Sequence, residues 1–302
     1  MARRPLALSS MWAVDRFTTP AAFRAAAAAL GFDAVEFNYE APGAWLDDPG
    51  DGVPIGSLHN PCPADTVLGG RWSYDLSLGA TDEDERREAV RLTKLTLDHA
   101  ARIGAHAIVV HVATIPIDQA KQRALRALVD SGERGSDEFW TLRDALAAER
   151  EANGPPHLDQ SVRSLRELAP YAAERGVWLG IETRFNVYEI PNLAETEILL
   201  EAGQDGPVGY WHDVGHAAGQ ELLGFGSHRA WLEALGPHII GAHLHELRGV
   251  KDHFAIGTGE MDWPLVAAAL PDDALRVCEL DRRNPPEDVA RAFAVLEHHG
   301  II

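Results

Sequence analysis

Cysteine is scarce in this 302-residue chain. Cys62 and Cys278 stand alone, far apart and without a CxxC pair, so they build no disulfide framework, and a reducing compartment, the cytoplasm, is the expected location. Long apolar runs are missing too. No stretch of about 18 apolar residues exists to span a bilayer. The opening Met1-Ala2-Arg3-Arg4-Pro5-Leu6-Ala7-Leu8 has a basic end but lacks the apolar core of a secretory signal. Positive charge is the third shortage. Lys+Arg number 27 against 46 Asp+Glu, a net charge of −19, and the only lysines are Lys94, Lys121 and Lys251. A protein that grips nucleic acid by its phosphates normally shows a basic face, so this balance argues against nucleic acid as a partner. No glycine-rich phosphate turn follows the first apolar run, which argues against a doubly wound open sheet. Gly257-Thr258-Gly259 is a loop turn, not a dinucleotide fingerprint, because it opens no βαβ unit.

What remains is a chain that is 46% hydrophobic and 24% charged, ordinary for a globular protein and long enough for a large core. Short apolar runs alternate with helical patterns along its length. Strands are expected at 7–11, 34–37, 53–59, 107–111, 177–182, 208–213, 239–244 and 275–280. Helices are expected between them: Thr19-Pro20 opens one that Gly31 closes, and 82–103 carries helical spacing up to Gly104. Residues 115–157 interrupt the rhythm with charged, helix-prone sequence ending in Asn153-Gly154-Pro155-Pro156, where a break is expected before a helix at 159–175. About eight near-continuously apolar strands alternating with helices predict a (β/α)8 TIM barrel. Residues 1–302 form a single domain in this reading, with 115–157 as a helical insertion after the fourth strand.

In such a barrel, active groups lie at the C-terminal ends of the strands. Polar residues finish the apolar runs repeatedly: His59, His111, Glu182, Asp213 with His216 three residues on, His243 and Glu279. His253 follows in the loop after the seventh strand. Carboxylates mixed with neutral imidazoles suit Zn²⁺, Mn²⁺ or a related divalent cation. Carboxylates crowded at one mouth repel one another, and a cation relieves that repulsion. His99, His106, His157, His228, His238, His298 and His299 fall in helices or before strands and read as structural or solvated.

Three motifs carry a family resemblance. Gly180-Ile181-Glu182-Thr183-Arg184, His212-Asp213-Val214-Gly215-His216, and His243-Leu244-His245-Glu246 with Asp252-His253 and Gly257 to Trp263 resemble the xylose-isomerase-like TIM-barrel superfamily. That group includes sugar and sugar-phosphate isomerases, ketose 3-epimerases, inosose dehydratases and apurinic-site endonucleases. The resemblance implies that Glu182, Asp213, His243 and Glu279 are metal ligands, with Glu182 and Glu279 also the proton-transfer groups. It makes His216 a substrate-holding residue and places His59, His111 and His253 at nuclease-type ligand positions. The nuclease pattern has an acid two residues before His253, where this chain has Lys251. Its loop 246–251 also differs from that of the epimerases.

These residues imply a divalent-metal-dependent isomerase or epimerase acting on a small sugar, sugar phosphate or cyclitol through an enediolate. Mn²⁺ or Zn²⁺ leads, with Mg²⁺ and Co²⁺ as alternatives. His59, His111, His216 and His253 would contact substrate, and Arg184, Arg248 or Lys251 would meet a phosphate or carboxylate on it. Two alternatives stay open: a dehydratase or lyase on a similar substrate, and a multi-zinc phosphodiester hydrolase of the apurinic-site endonuclease type. Trp12, Phe37, Trp72, Phe185 and Tyr188 are candidates to line the pocket, while Trp211 and Trp263 read as packing residues. The expected partners are a small polyhydroxylated substrate and a second copy of the chain in a homodimer.

Overall fold

The computed structural model describes residues 3–64, 66–67 and 71–302. Its eight core strands are β1 (Ala7–Ser9), β2 (Ala34–Phe37), β3 (Ile55–Asn60), β4 (Ala107–Val110), β5 (Trp178–Glu182), β6 (Val208–Asp213), β7 (Ile239–Leu244) and β8 (Leu275–Cys278). They pair in parallel, each with its neighbours in sequence, and β1 closes on β8 through Ala7–Val277 and Leu8–Cys278. This is the (β/α)8 TIM barrel. The first strand is shorter than expected: Ser9 caps a 3₁₀ turn over Ser10–Ala13 that ends it.

The helix boundaries follow local chemistry. Thr19 caps the helix Pro20–Leu30 and Gly31 ends it at φ 101°. Asp82 caps Glu83–Ile103, which ends at Gly104 with φ 77°. Only a residue without a Cβ enters that left-handed region freely.

The strands alternate cleanly between two surroundings, as the pleat requires. Leu8, Val35, Ile108, Leu179 and Tyr210 point outward into the main core beneath the helices. Ala7, Ala107, Val109, Trp211 and Val277 form a separate cluster inside the barrel. Trp211 is its bulk. A Cβ on Gly180 or Gly241 would stand 2.8 Å or 2.3 Å from its ring, so glycine on both flanking strands makes room for the indole.

The expected break at Asn153-Gly154-Pro155-Pro156 is absent. One helix runs from Asp137 to Arg175, 39 residues, straight through it. An internal proline costs a helix about 3 kcal/mol, and tertiary anchors offset this. Arg150 binds the Glu195 carboxylate at 2.6 and 2.7 Å and the carbonyls of Val187 and Glu189. Asn153 donates to Pro116 O at 2.9 Å. Phe139 and Leu146 of this helix join Leu125, Phe185, Val187, Leu223 and Val250 in a small core of their own.

Candidate active site

The inward positions at the C-terminal ends of the strands are the polar ones: Glu36, His59, Glu182, Asp213 and His243 on β2, β3 and β5–β7, with His111 and Glu279 one residue beyond β4 and β8. Glu182, Asp213, His243 and Glu279 each aim one ligand atom at a common point, all within 4.8 Å of one another and all buried. His243 Nδ1 lies 2.7 Å from Glu182 Oε1, 3.2 Å from Glu279 Oε2 and 3.6 Å from Asp213 Oδ2. Behind the ring, His243 Nε2 stands 3.2 Å from Glu36 Oε1, and Ser57 donates to Glu36 Oε2 at 2.7 Å. A proton on Nε2, shared with Glu36, leaves Nδ1 free as a ligand, the usual arrangement behind a metal-bound histidine.

Asp213 is fixed as well. Its Oδ1 accepts from the His216 backbone N–H at 2.7 Å, capping the helix Val214–Leu222, and His245 Nε2 lies 3.0 Å away. Three carboxylates are thus gathered in a buried space against one imidazole. The consequence shows at Glu279. Burial, reinforced by Glu182, Glu36 and Asp213, pushes its carboxyl up to about 8 despite His243. Three carboxylate oxygens and one imidazole nitrogen so placed could hold a divalent cation.

Glu182 turns its other oxygen to a second group. Oε2 lies 2.6 Å from His111 Nε2 and 3.9 Å from His59 Nε2. Burial works to raise this carboxyl, but His111 and Arg184 outweigh it and hold Glu182 well below the ordinary range. Burial lowers His111 to about 4, with Arg184 adding to the effect. Tyr74 Oη meets His111 Nδ1 at 3.0 Å. A cavity of about 280 Å³ opens beside this group, lined in part by Asn60, Tyr74, Thr93, His111, Arg184 and Glu189.

A third group joins His216, Asp252 and His253. His216 Nε2 is 3.7 Å from Asp252 Oδ2, and His253 Nε2 is 3.8 Å from Asp252 Oδ1. The carboxylate sought two residues before His253, at Lys251, comes from the adjacent Asp252. His253 adopts φ 58°. Its N–H donates to His245 Nδ1 at 3.0 Å, and its own Nδ1 lies 3.1 Å from Glu279 O. His253, His245 and Glu279 also form a fourth grouping of donor atoms.

Of the three expected cations, Arg184 reaches the donor groups and the other two do not. Arg184 is buried and bound to acidic groups of the protein itself. Arg248 and Lys251 lie on the hairpin of Glu246–Arg248 and Lys251–Phe254, outside all four groupings. The Arg248 guanidinium sits 4.6 Å over the Phe254 ring and donates to Thr258 O. Lys251 is exposed.

The aromatic side chains divide as well. Trp12 and Phe37 are buried, Trp12 donating to Asn284 O at 2.8 Å and Phe37 packing on Trp45. Trp72 is 58% exposed. Rings near the donor atoms include Tyr39, 5.8 Å from His59, Tyr74, 5.5 Å from His111, Phe185, 5.9 Å from His216, and Trp211, 5.2 Å from His243. Trp263 packs in the main core beneath the helices, as expected, whereas Trp211, expected between strands and helices, fills the barrel interior.

Five participants were not singled out in the sequence: Glu36, Glu189, His245, Asp252 and Tyr74. For two the signal was there. Glu36 shares the inward parity of Ala34, and His245 is two residues from His243, so each belongs to the lining set by a period of two.

A sequence search of curated proteins returns no match. The fold has many solved counterparts. D-psicose 3-epimerase from Clostridium cellulolyticum H10, solved with D-tagatose, superposes with a TM-score of 0.68 at 16% identity, covering 99% of both chains. The apo form of 3-keto-D-glucoside 4-epimerase from E. coli gives 0.66 at 15%, covering 98% of this chain and 100% of that one. An IOLI protein with a bound zinc atom gives 0.63 at 14%, covering 98% and 96%. At this level of identity they establish the fold. A family profile described as Xylose isomerase-like TIM barrel matches residues 24–299, and with the closed eight-strand barrel already in view, this chain belongs to that family.

Proposed function

We propose that this protein is a divalent-metal-dependent isomerase or epimerase of a small polyhydroxylated carbonyl compound: a sugar, sugar phosphate or cyclitol. The observation that carries this reading is the convergence of Glu182 and Glu279, from opposite sides of His243, on one buried four-donor point. The epimerases among the structural counterparts support it.

Glu182, Asp213, His243 and Glu279 would hold the cation, which supplies Lewis-acid polarisation of a carbonyl. The chain's own residues do the rest. Glu279 would take a proton from the carbon beside the carbonyl or return it; Glu182 is the other carboxylate. General acid–base help of this kind contributes on the order of 10²–10⁴-fold. His216 and His253 face the same space and would orient hydroxyls. Tyr74 and His111 border the 280 Å³ cavity, where the remainder of a sugar-sized substrate would sit. Mn²⁺ or Zn²⁺ is the ion proposed, and residues 115–157 are taken as an elaboration of a single barrel domain.

A second reading, phosphodiester hydrolysis, draws on the two further groupings His59/His111/Glu182 and His216/Asp252/His253. The assay distinguishes the two. Metal-loaded protein is incubated in D₂O with a panel of ketoses, aldoses and inososes, and carbon-bound deuterium is read by mass spectrometry. Deuterium beside a carbonyl is expected, falling on the order of 10²–10⁴-fold in Glu279→Gln with the fold retained. Loss of water from a labelled substrate would identify a dehydratase. Silence across the panel, with cleavage of bis-(p-nitrophenyl) phosphate, would give the protein to hydrolysis.

A further inference from the structure

His59, His111 and Glu182 bring their donor atoms within 4.8 Å of one another, a set that on donor type alone could take a divalent ion. A charge is already there. Arg184 Nη1 contacts both His111 Nε2 and Glu182 Oε2, so one guanidinium nitrogen touches two of the three donors. That nitrogen is held in place from behind. Glu189 Oε1 binds Arg184 Nη2 at 2.8 Å and Nε at 3.3 Å. Glu189 is itself fixed through Oε2 by the Asn186 backbone N–H and side-chain amide at 2.7 and 2.8 Å. Gln220 donates to the Arg184 carbonyl at 2.5 Å. A guanidinium stays charged at every accessible pH and offers its donors in a rigid fork.

We propose that Arg184 is a built-in cation: its guanidinium fills the His59/His111/Glu182 donor set, bars a divalent ion from it, and leaves Glu182 to serve one ion rather than two. The inference rests on the metal-dependent reading above and gives it a specific form. Arg184 is then a positioning residue. It acts through Glu182, holding Oε2 so that Oε1 is aimed toward Asp213, His243 and Glu279.

The test counts metal. Chelator-treated protein is dialysed against Co²⁺ and bound cobalt is measured by elemental analysis, with circular dichroism reporting the fold. Arg184→Met is expected to hold one equivalent more than the wild-type chain. His111→Ala alone should hold as many as wild type, and Arg184→Met combined with His111→Ala should lose the gain. A folded Arg184→Met protein with no extra equivalent overturns the proposal. So does a His111→Ala protein with fewer equivalents than wild type. Should Arg184→Met fail to fold, the His111→Ala count decides alone. Asp213→Asn tests the underlying reading separately, since it should remove one equivalent with or without Arg184; if it removes none, the four-donor centre fails while the Arg184 comparison still stands.

Discussion

On one side of the Glu182 carboxylate, Oε1 faces His243, with Asp213 and Glu279 beyond it; on the other, Oε2 faces His111, His59 and Arg184. Both sides are buried and both gather acids with imidazoles. They differ in where compensating charge comes from. The first sets Glu182, Asp213 and Glu279 about His243, with His245 on the far oxygen of Asp213. The second sets Glu182 and Glu189 against a guanidinium two residues along the chain from Glu182. Buried charge is tolerated only when paired; the second side carries a guanidinium on its donor atoms as folded, whereas the four donors of the first could hold a cation from outside. One arginine at the end of β5 makes that difference.

The largest expected effect follows from the uncompensated side. Metal-free, Glu279 has its carboxyl raised to about 8 by burial and its acidic neighbours. A carboxyl raised on folding binds its proton more tightly in the native state, so its contribution to stability is complete below its unfolded value near 4.5 and is lost as pH rises toward 8. His243, raised by Glu279 and Glu36 against its burial, acts in the same direction. The buried histidines lowered on folding, His111 among them, oppose this below pH 7, where rising pH stabilises the native state, so the urea midpoint of chelated protein should fall from pH 7 to pH 8. Both Glu279→Gln and saturating Mn²⁺ should flatten that fall. A flat profile in the chelated wild-type chain would erase the contrast between the two sides.

Much of the four-donor side was legible in the sequence, because a strand reports its inward face every second residue. His243, Asp213 and Glu182 each end an apolar run, and the pleat converts that position into a direction. The same rule extends to Glu36 and His245, which the end-of-run criterion passes over. The compensated side was less legible. Glu189 comes from the loop beyond β5 and Tyr74 from a 3₁₀ turn, and their approach to Arg184 and His111 depends on loop geometry with no period to read. Arg184 itself was visible as a cation at the mouth, but its partners were not. The helix through Pro155-Pro156 is the converse case. Local propensity predicts a break there, and the Arg150 and Asn153 anchors that override it lie far away in sequence.

The compensated side can be broken from behind. Glu189→Ala removes the carboxylate that holds Arg184 Nη2 and Nε, together with the acceptor of two Asn186 donors. Removing one partner of a buried ion pair costs about 3–5 kcal/mol, and a loss of that size is expected in urea denaturation at pH 7. The matching truncation across the divide, Glu279→Ala in chelated protein, relieves acidic crowding and should cost less. Equal losses would mean that the guanidinium does not complete its side.

The smallest effect tests the floor under the four-donor centre. Trp211 fills the barrel interior with its ring 5.2 Å from that of His243, and Gly241, two residues before His243 on β7, leaves the space it occupies. The methyl of Gly241→Ala would stand 2.3 Å from Trp211 Cζ3. A ring enclosed by strands cannot swing clear without disturbing what lies above it, and overpacking of this kind costs about 1–3 kcal/mol. Trp211 packs against the His243 ring, so displacing it should also weaken metal binding, measured as a higher Kd for Mn²⁺ by titration calorimetry. Arg184, Glu189 and His111 stand on the other side of Glu182, so a His111→Ala substitution made in the Gly241→Ala background should leave that weakened Kd unchanged. A further weakening would mean that strain passes across the carboxylate, and that the two sides respond as one.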